Sequence, residues 1–382
     1  MIWRKRCSGA LRRVSNAAAI RLRHYFGGPA VGSPVPRYRG GVSFRMPRVV
    51  YNNPTTDNHV ISLMPGPVEI ADEVSAAFHL PPVSHRCEEF IGRFEAVRRR
   101  LRGLTGAANV ALLTGSGTLA NEVVASCLQG PGVVLVNGEF GARVARQAQR
   151  WELPVKILEW PWGAPWDLDE LDRSLDGAQW VWGVHLETST GLLNDIESMI
   201  SIANKHGVKV CLDCISSLGA VPIDLRKVWL ATGVSGKALG SFAGIAIVFA
   251  AQAPDLKQKM VPTYLDLGHA LRTEGPVFTF PSPLLLALEQ AIGRQPDYAP
   301  LGNLVRQRLR EMGTPPLVDN ERAAPIVTTF VPPQPKFIER CRQLGYSIGG
   351  ESHYLADRGL VQIANMGAVQ AEQIERLFDQ LT

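Results

Sequence analysis

A regular alternation of short apolar runs with amphipathic segments begins near residue 61 and continues through most of the chain. The apolar runs have the length and composition of strands and lie at 110–113, 133–136, 180–184, 208–213 and 245–249. The segments between them have the spacing of helices with one apolar face and lie at 118–129, 143–150 and 196–206. Strands that alternate with helices in this way form βαβ units and pair in parallel. The sequence therefore predicts an α/β fold with a largely parallel sheet.

In the second half of the chain, Pro-rich segments at 275–283 and 314–335 interrupt the regular alternation of strands and helices. Helical patterns then lie at 337–344 and 371–381, and candidate strands at 326–330 and 360–363. We therefore predict a large domain over residues 58–285 and a smaller C-terminal α+β domain over residues 286–382. A chain of 382 residues, 46% of them hydrophobic, is long enough to build both cores.

Positive charge is concentrated at the N-terminus of the chain. Ten arginines and Lys5 precede residue 49, and the first acidic residue is Asp57. Because the formal net charge of the whole chain is only +5, the remainder is net negative. This distribution argues against a basic nucleic-acid-binding face on the folded part. We predict that residues 1–57 form a basic, disordered extension.

The same N-terminal composition bears on the location of the protein. An extension rich in Arg, Ala and Ser is typical of an organelle transit peptide, and a start codon assigned too far upstream would give a similar pattern. No apolar run approaches the roughly eighteen residues that cross a bilayer, so we expect no membrane segment. We expect a cytoplasmic protein, or a mitochondrial matrix protein if the extension is a transit peptide.

The cysteines give no sign of a metal site. Six cysteines are scattered along the chain, and only Cys211 and Cys214 form a CxxC pair. A zinc or redox site would need a second pair, or histidines at ligand spacing, and the sequence offers neither. We therefore predict that no metal ion is bound.

A Gly-rich turn at Thr114–Thr118 lies between a predicted strand and a predicted helix. The small residues allow backbone N–H groups to approach an anion, and the helix N-terminus adds a favourable dipole. Ser116 and Thr118 add hydroxyl donors on either side of Gly117. The turn therefore fits a phosphate-binding site, although a capped strand-to-helix connection would have the same composition.

Two charged residues stand out further along the chain. Asp213 ends an apolar run, and the carboxyl ends of parallel strands are where open α/β sheets bind ligands. Lys237 follows 24 positions later among small residues, next to a predicted buried strand. Burial would lower the pKa of this lysine and free its amine for reaction with a carbonyl group. A helix N-cap for Asp213 and a solvated loop position for Lys237 are the simpler alternatives.

Taken in this order, the turn, Asp213 and Lys237 make the chain resemble the class V aminotransferases, which are fold-type I pyridoxal-phosphate enzymes. Further stretches that carry the resemblance are 64–67 (MPGP), 185–191 (HLETSTG) and 212–219 (LDCISSLG). It covers roughly Ser62 to the C-terminus and is nearest to the alanine–glyoxylate and serine–pyruvate branch, with features of the phosphoserine branch. The resemblance implies a seven-stranded type of sheet flanked by helices, pyridoxal 5′-phosphate as cofactor, and a homodimer with shared active sites.

The resemblance also assigns the central cofactor contacts. Lys237 would carry the cofactor through a Schiff base and would later move the proton between the substrate Cα and the cofactor. Asp213 would keep the pyridine nitrogen protonated. Ser116, Gly117 and Thr118 would hold the phosphate group.

Three further cofactor contacts follow from the same resemblance. Phe140 lies where this branch places the aromatic residue that stacks on the ring, although it could be an ordinary core residue. Thr188 would contact the phenolic oxygen. Thr279 would reach the phosphate of the partner subunit, which is why the resemblance implies a dimer.

The substrate side departs from the family pattern. Gln362 occupies the place of an arginine that usually grips the substrate carboxylate, and a bidentate guanidinium suits that task better than an amide. We expect that Arg358 or Arg86 supplies the charge instead, or that the substrate carboxylate is bound in a different way. His85 and Arg86 match a pair that binds acidic substrate groups in the phosphoserine branch, but a surface loop or an interface ion pair would explain them equally.

The resemblance implies transfer of an amino group from a small amino acid, such as alanine or serine, to a 2-oxo acid such as glyoxylate or pyruvate, with ping-pong kinetics. The alternatives are a phosphoserine or aminophosphonate transaminase, or a lyase, desulfurase or epimerase with the same cofactor. Gly236 stands where desulfurases carry a histidine, and Cys341 lies in a helical pattern, so both count against desulfuration.

Overall fold

The structure is a computed structural model that describes residues 60–254, 261–294, 296–319 and 321–381. Its strands are β1 (Ile61–Leu63), β2 (Asn109–Thr114), β3 (Gly132–Val136), β4 (Val155–Glu159), β5 (Trp180–Val184), β6 (Leu186–Glu187), β7 (Leu192–Leu193), β8 (Lys209–Asp213), β9 (Leu230–Val234), β10 (Ile245–Ala250), β11 (Val327–Phe330), β12 (Tyr346–Ile348) and β13 (Val361–Ala364).

The helices of the same residues are α1 (Asp72–Ser75), α2 (Glu88–Thr105), α3 (Gly117–Cys127), α4 (Glu139–Arg150), α5 (Leu168–Ser174), α6 (Ile196–Lys205), α7 (Leu267–Arg272), α8 (Ser282–Arg294), α9 (Ala299–Glu311), α10 (Phe337–Gln343), α11 (His353–Ala356) and α12 (Ala371–Leu381). Short 3-10 helices lie at Ala76–His79 and Thr263–Leu265. The prediction that residues 1–57 are disordered lies outside the described residues.

A seven-stranded sheet forms the centre of the molecule, in the order β2-β10-β9-β8-β5-β3-β4. Strand β10 runs antiparallel to both of its neighbours, and the remaining pairs are parallel. The carboxyl ends of β2, β3, β5, β8 and β9 therefore meet at one edge. The predicted α/β fold with a mostly parallel sheet is confirmed.

The sheet is covered on both faces, which explains why its strands read as continuous apolar runs rather than as alternating patterns. All residues of β3, β5 and β10 are buried. One apolar cluster packs α2, α6 and α8 against one face, and a second packs α3 and α4 against the other. These two cores fix the helices, so that the loops at the carboxyl edge are held by rigid elements on both sides.

Two strands of this sheet did not show in the sequence pattern. Strand β9 is completely buried, but Thr232 and Gly233 interrupt its apolar run. Strand β4 lies at the edge of the sheet, and of its five residues only Leu158 is buried, so it lacks a continuous apolar run. Burial of β9 places Thr232 inside the core, where its hydroxyl needs a hydrogen-bond partner.

The C-terminal region has small sheets of its own. Strands β11 and β13 pair antiparallel, and β12 pairs in parallel with β1 from the start of the described chain. A separate apolar cluster joins these strands to α9, α10 and α12. Pairing of β1 with β12 ties the beginning of the predicted large domain to the small one, and the described residues belong to one compact unit. The boundary at residue 285 stays a prediction.

No helix in the described part of the chain is both long and apolar enough to cross a bilayer.

Candidate active site

Asp213 is the last residue of β8 and lies buried at the carboxyl edge of the sheet. Its carboxylate accepts a hydrogen bond from Asn121 Nδ2 at 2.8 Å and one from the backbone N–H of Ile215 at 2.9 Å. The Oδ1 atom of Asn121 in turn accepts a hydrogen bond from Thr232 Oγ1 at 2.9 Å. Burial raises the pKa of Asp213, while these donors and the charge of Lys237 oppose the shift. The carboxylate is therefore held in one orientation and would be stabilised by a cationic partner.

Lys237 follows β9 closely, and its amine faces the same edge of the sheet. Its Nζ atom donates a hydrogen bond to the carbonyl oxygen of Pro65. Gly66 has a φ of +151°, and a Cβ atom there would lie 3.5 Å from Nζ. A side chain at position 66 would therefore crowd the space next to the amine.

The surroundings of Lys237 make its amine less basic. Burial lowers the pKa of Lys237 to about 8, while the charge of Asp213 raises it and the charge of Arg143 lowers it. A sizeable fraction of the amine is therefore unprotonated near neutral pH, which is the form that attacks a carbonyl carbon. The position is not that of a solvated loop lysine.

The Gly-rich turn connects β2 to α3. Ser116 is the N-cap residue of α3, and its side chain makes no capping hydrogen bond. Gly117 is the first residue of the helix, and a Cβ atom there would approach the side chain of Ile215 to 2.7 Å. Ser116 and Thr118 are exposed. The helix N-terminus therefore presents backbone donors and two hydroxyl groups to solvent, as an anion site requires.

Thr188 and Gln362 contact each other behind the site. The hydroxyl groups of Thr188 and Ser216 lie 2.6 Å apart. Gln362 Nε2 donates to the carbonyl oxygen of Thr188 at 2.5 Å and to Thr329 Oγ1 at 2.8 Å. Gln362 is completely buried. One hydrogen of its amide thus holds the loop that carries Thr188 and the other binds Thr329 on the neighbouring strand β11, so both have structural partners.

Glu187 holds the N-terminus of α4 in place. Its carboxylate accepts hydrogen bonds from the backbone N–H groups of Phe140 at 3.2 Å and Gly141 at 3.0 Å, and also from Ser189. A Cβ atom at Gly138 would approach Glu187 to 2.4 Å, so only glycine fits there. Burial raises the pKa of Glu187, against the effect of these donors. The stretch that resembles the family therefore positions Phe140 through this carboxylate.

Phe140 belongs to an aromatic and cationic group that sequence reasoning did not find. Its ring centroid lies 6.2 Å from that of Tyr354, which lies 6.3 Å from that of Trp162. Arg143 lies over Phe140 at 4.9 Å, and Arg358 lies over Trp162 at 3.6 Å. We call these five residues the aromatic cluster. It brings Arg358 to the same group as Phe140, with Tyr354 and Trp162 between them.

Two of the predicted substrate residues lie apart from this group. His85 and Arg86 precede α2, and Arg86 is exposed. Within the described residues, the one hydrogen bond found at this pair is from the Arg86 backbone N–H to Ser84 Oγ, at 3.3 Å. Their assignment to substrate binding therefore stays a prediction.

Thr279 is exposed as well, beside an exposed aromatic pair. The rings of Phe278 and Tyr264 stack with centroids 4.8 Å apart. The hydroxyl of Tyr264 donates to the carbonyl oxygen of Thr114 at 3.3 Å, which places the pair close to the Gly-rich turn.

The cysteines of the described residues are free, and Cys211 and Cys214 are buried. Burial raises the pKa of both thiols. The described residues contain no group of three or more His, Cys, Asp or Glu side chains that could hold a metal ion.

The sequence model of the class-V aminotransferases matches residues 69–272, which is more than half of the chain. A 2-aminoethylphosphonate–pyruvate transaminase from Vibrio cholerae is 29% identical over 359 residues, covering 84% of this chain and 96% of the relative. The structure is similar to that of an alanine–glyoxylate aminotransferase from Nostoc sp., with a TM-score of 0.77, 25% identity, and coverage of 86% of this chain and 96% of that one.

An aspartate aminotransferase from Thermus thermophilus is similar too, with a TM-score of 0.76, 26% identity, and coverage of 84% and 97% of the two chains. Both comparisons extend over almost the whole length of the related proteins. The match to the family covers the strands and loops that carry Ser116, Asp213 and Lys237. This chain belongs to the class-V aminotransferase family.

Proposed function

We propose that the protein is a pyridoxal-phosphate-dependent aminotransferase that moves an amino group from a small amino compound to a 2-oxo acid by a ping-pong mechanism. The observation that carries this proposal is that Asp213 ends β8 and Lys237 follows β9, the neighbouring parallel strand, so that both lie at the carboxyl edge of the sheet. The amine has a pKa lowered to about 8, and the buried carboxylate is oriented by Asn121. Family membership and the named relatives support the same reaction.

The residues present fit the cofactor. The N-terminus of α3, with Ser116, Gly117 and Thr118, would hold its phosphate group, because the donors there are exposed and uncapped. Asp213 would accept a hydrogen bond from the protonated ring nitrogen, which would also provide the cation that this buried carboxylate favours. Phe140 and Thr188 would contact the ring from the sides fixed by Glu187 and Gln362, respectively.

Bound pyridoxal phosphate supplies an electron sink for the carbanion that forms when the substrate Cα loses its proton. The protein's task is to place and move that proton. Lys237 is the base in reach, because burial and Arg143 keep part of its amine unprotonated near neutral pH. Asp213 maintains the negative charge that keeps the ring nitrogen protonated. Asn121 and Thr232 hold that carboxylate in position.

We also propose that the protein works as a homodimer in which Thr279 reaches the partner's phosphate site. Thr279 is exposed, and large apolar side chains of the described residues, including Phe78, Leu80, Tyr264 and Phe278, are 36% to 52% exposed. Such surfaces are typical of protein interfaces. The cytoplasmic location stays a prediction, because residues 1–57 lie outside the described part of the chain.

A transaminase for an aminophosphonate is the second candidate. In 2-aminoethylphosphonate the carbon that bears the amine carries no carboxylate, so the donor itself needs no guanidinium at position 362, and only the 2-oxo acid acceptor brings a carboxylate to that carbon. The buried amide of Gln362, with both hydrogens used, fits that requirement. The similarity to the Vibrio cholerae transaminase points the same way.

The test is an absorption spectrum of the purified protein with added cofactor, recorded before and after single amino donors. L-alanine, L-serine and 2-aminoethylphosphonate are the first three. We expect one donor to convert the cofactor to its amino form, and a 2-oxo acid to reverse the change. A spectrum that responds to a donor without ever giving the amino form would contradict transamination and favour a lyase or epimerase.

A further inference from the structure

We propose that Arg143 is the residue that binds the acidic group of the amino substrate, which is a carboxylate or a phosphonate. The inference rests on the proposed function and deepens it, because it assigns the substrate's charge to a residue of α4. Three observations carry it: the contacts of Gln362, the surroundings of Arg143, and the position of Arg143 relative to Lys237.

Gln362 has no donor left for a substrate. Its two amide hydrogens go to the carbonyl oxygen of Thr188 and to Thr329 Oγ1, at 2.5 Å and 2.8 Å. The side chain is completely buried in β13. An acceptor oxygen remains, and an acceptor repels an anionic group. The acidic group of a substrate therefore needs a cation from another element.

Arg143 has the position and the free donors that this task requires. Its guanidinium lies over the ring of Phe140 at 4.9 Å and 5.7 Å from the ring centroid of Tyr354. Its side chain is 47% exposed, so a ligand can reach it. The Nε atom donates to Glu139 at 2.8 Å. A guanidinium has five N–H donors, so most of the fork can still meet an oxyanion.

The local charge balance at α4 remains positive. Arg146 donates to the same oxygen of Glu139, at 2.9 Å. One carboxylate thus faces two guanidinium groups. Glu139 fixes Arg143 in place but does not neutralise the pair of arginines.

Arg143 also acts on the reacting amine. Its charge lowers the pKa of Lys237. The contacts agree, because Arg143 lies over Phe140, whose backbone N–H is bound by Glu187, the residue before Thr188. An acidic group bound to Arg143 would therefore lie on the side of the site where Phe140 is proposed to contact the cofactor. Arg358 is less suited, because it lies over Trp162, at the end of the aromatic cluster away from Phe140.

The experiment measures binding of two simple anions, propionate and ethylphosphonate, to the full chain by isothermal titration calorimetry. The protein is first saturated with pyridoxal phosphate, so that the N-terminus of α3 does not take up the probe. Arg143→Gln should weaken binding of the preferred anion about tenfold or more, and Arg143→Lys should retain part of it. Arg146→Gln is the matched control, because it removes the other partner of Glu139, and it should change binding less than twofold.

The choice between the two probes identifies the acidic group. Tighter binding of ethylphosphonate indicates an aminophosphonate substrate, and tighter binding of propionate indicates an amino acid. Equal affinities for Arg143→Gln and Arg146→Gln would overturn the proposal. So would wild-type affinity in Arg143→Gln.

A second measurement separates binding by Arg143 from a merely structural effect. The pH dependence of cofactor attachment reports the pKa of Lys237. The charge of Asp213 raises this pKa, and the charge of Arg143 lowers it. In Arg143→Gln the midpoint pH of cofactor attachment should rise from about 8, and in Arg146→Gln it should stay unchanged. An unchanged midpoint in Arg143→Gln would contradict the proximity on which the proposal depends.

Failure of this inference can be told apart from failure of the proposed function. If the wild type transaminates but the two glutamine variants bind anions alike, the function stands and the assignment of Arg143 falls. If the wild type binds an anion through Arg143 but no donor gives the amino form of the cofactor, the anion site stands and the reaction is a different one.

Discussion

The residues proposed to hold the cofactor come from the carboxyl ends of three strands of one sheet, whereas the residue proposed to bind the substrate lies in a cluster built from elements distant in the sequence. Asp213 ends β8, Lys237 follows β9, and the Gly-rich turn follows β2. By contrast, Arg143 lies on α4, its neighbour Tyr354 on α11, and Trp162 in the loop after β4. Strands buried on both faces fix the first group, and side-chain contacts between regions distant in the sequence fix the second.

This difference has a chemical meaning. The cofactor side must orient a ring and a phosphate group, and it would do so with backbone donors at a helix N-terminus and with side chains held at buried strand ends. The substrate side recognises one acidic group with an exposed side chain. An exposed arginine can be exchanged without disturbing the sheet. The substrate can therefore change within the family while the reaction is kept.

The largest effect is expected on the cofactor side. Lys237→Ala removes both the covalent attachment point and the base, so turnover should fall by on the order of 10⁴-fold, measured as steady-state rate with the best donor. Lys209→Ala is the control, because Lys209 lies at the opposite end of β8, against Trp229. That variant should keep its rate. Comparable losses in the two variants would show that the lysine segment has no special role.

A smaller effect is expected at Asn121 and Thr232, which hold the Asp213 carboxylate in position. Asn121→Ala removes one of two donors to that carboxylate, and should raise the pKa of Asp213 and weaken binding of the cofactor roughly tenfold. Thr232→Val should have a weaker effect of the same kind, because it acts on Asn121 alone. Cofactor titration followed by absorbance measures both. Wild-type affinity in Asn121→Ala would mean that the orientation of Asp213 does not depend on this chain of hydrogen bonds.

The smallest effect is expected at Gln362, and it should appear in stability rather than in substrate binding. Gln362→Met leaves the carbonyl oxygen of Thr188 without this donor, which should lower the free energy of unfolding by about 1–2 kcal/mol in denaturant titrations. KM for the donor should change less than about threefold, in line with an indirect role. Gln343→Met, at an exposed position of α10, serves as control. A tenfold rise in KM with unchanged stability would indicate that Gln362 binds the substrate directly.

The sequence predicted those parts of the molecule that depend on local patterns. Asp213 was found because an apolar run ends in a carboxylate, and the strand-to-helix turn at Ser116 was found because its residues are adjacent. The strand predicted at 180–184 and the helix predicted at 371–381 have the observed bounds. In each case the signal lies within a few neighbouring residues, so no knowledge of the tertiary structure was needed.

The residues that the sequence did not reveal act over long separations. Asn121 lies in the middle of α3 and meets Asp213, which is 92 positions away. Gln362 and Thr188 were both candidates, but the hydrogen bond between them, across 174 positions, was not predicted. Arg143 shares the exposed side of an amphipathic helix with Arg146, and a pattern of surface arginines does not tell which of them faces the site. Only the contacts of Arg143 with the rings of Phe140 and Tyr354, which the fold brings together, separate the two.

The most direct test of the account is to find which residue carries the cofactor. Borohydride reduction of the protein with bound pyridoxal phosphate, followed by proteolysis and mass spectrometry, locates the covalent link. We expect a single modified peptide that contains Lys237, and no such peptide when the reduction is carried out on Lys237→Ala. A link at another lysine, or a modified peptide of equal yield in the variant, would contradict the central claim that Lys237 and Asp213 form the reactive centre.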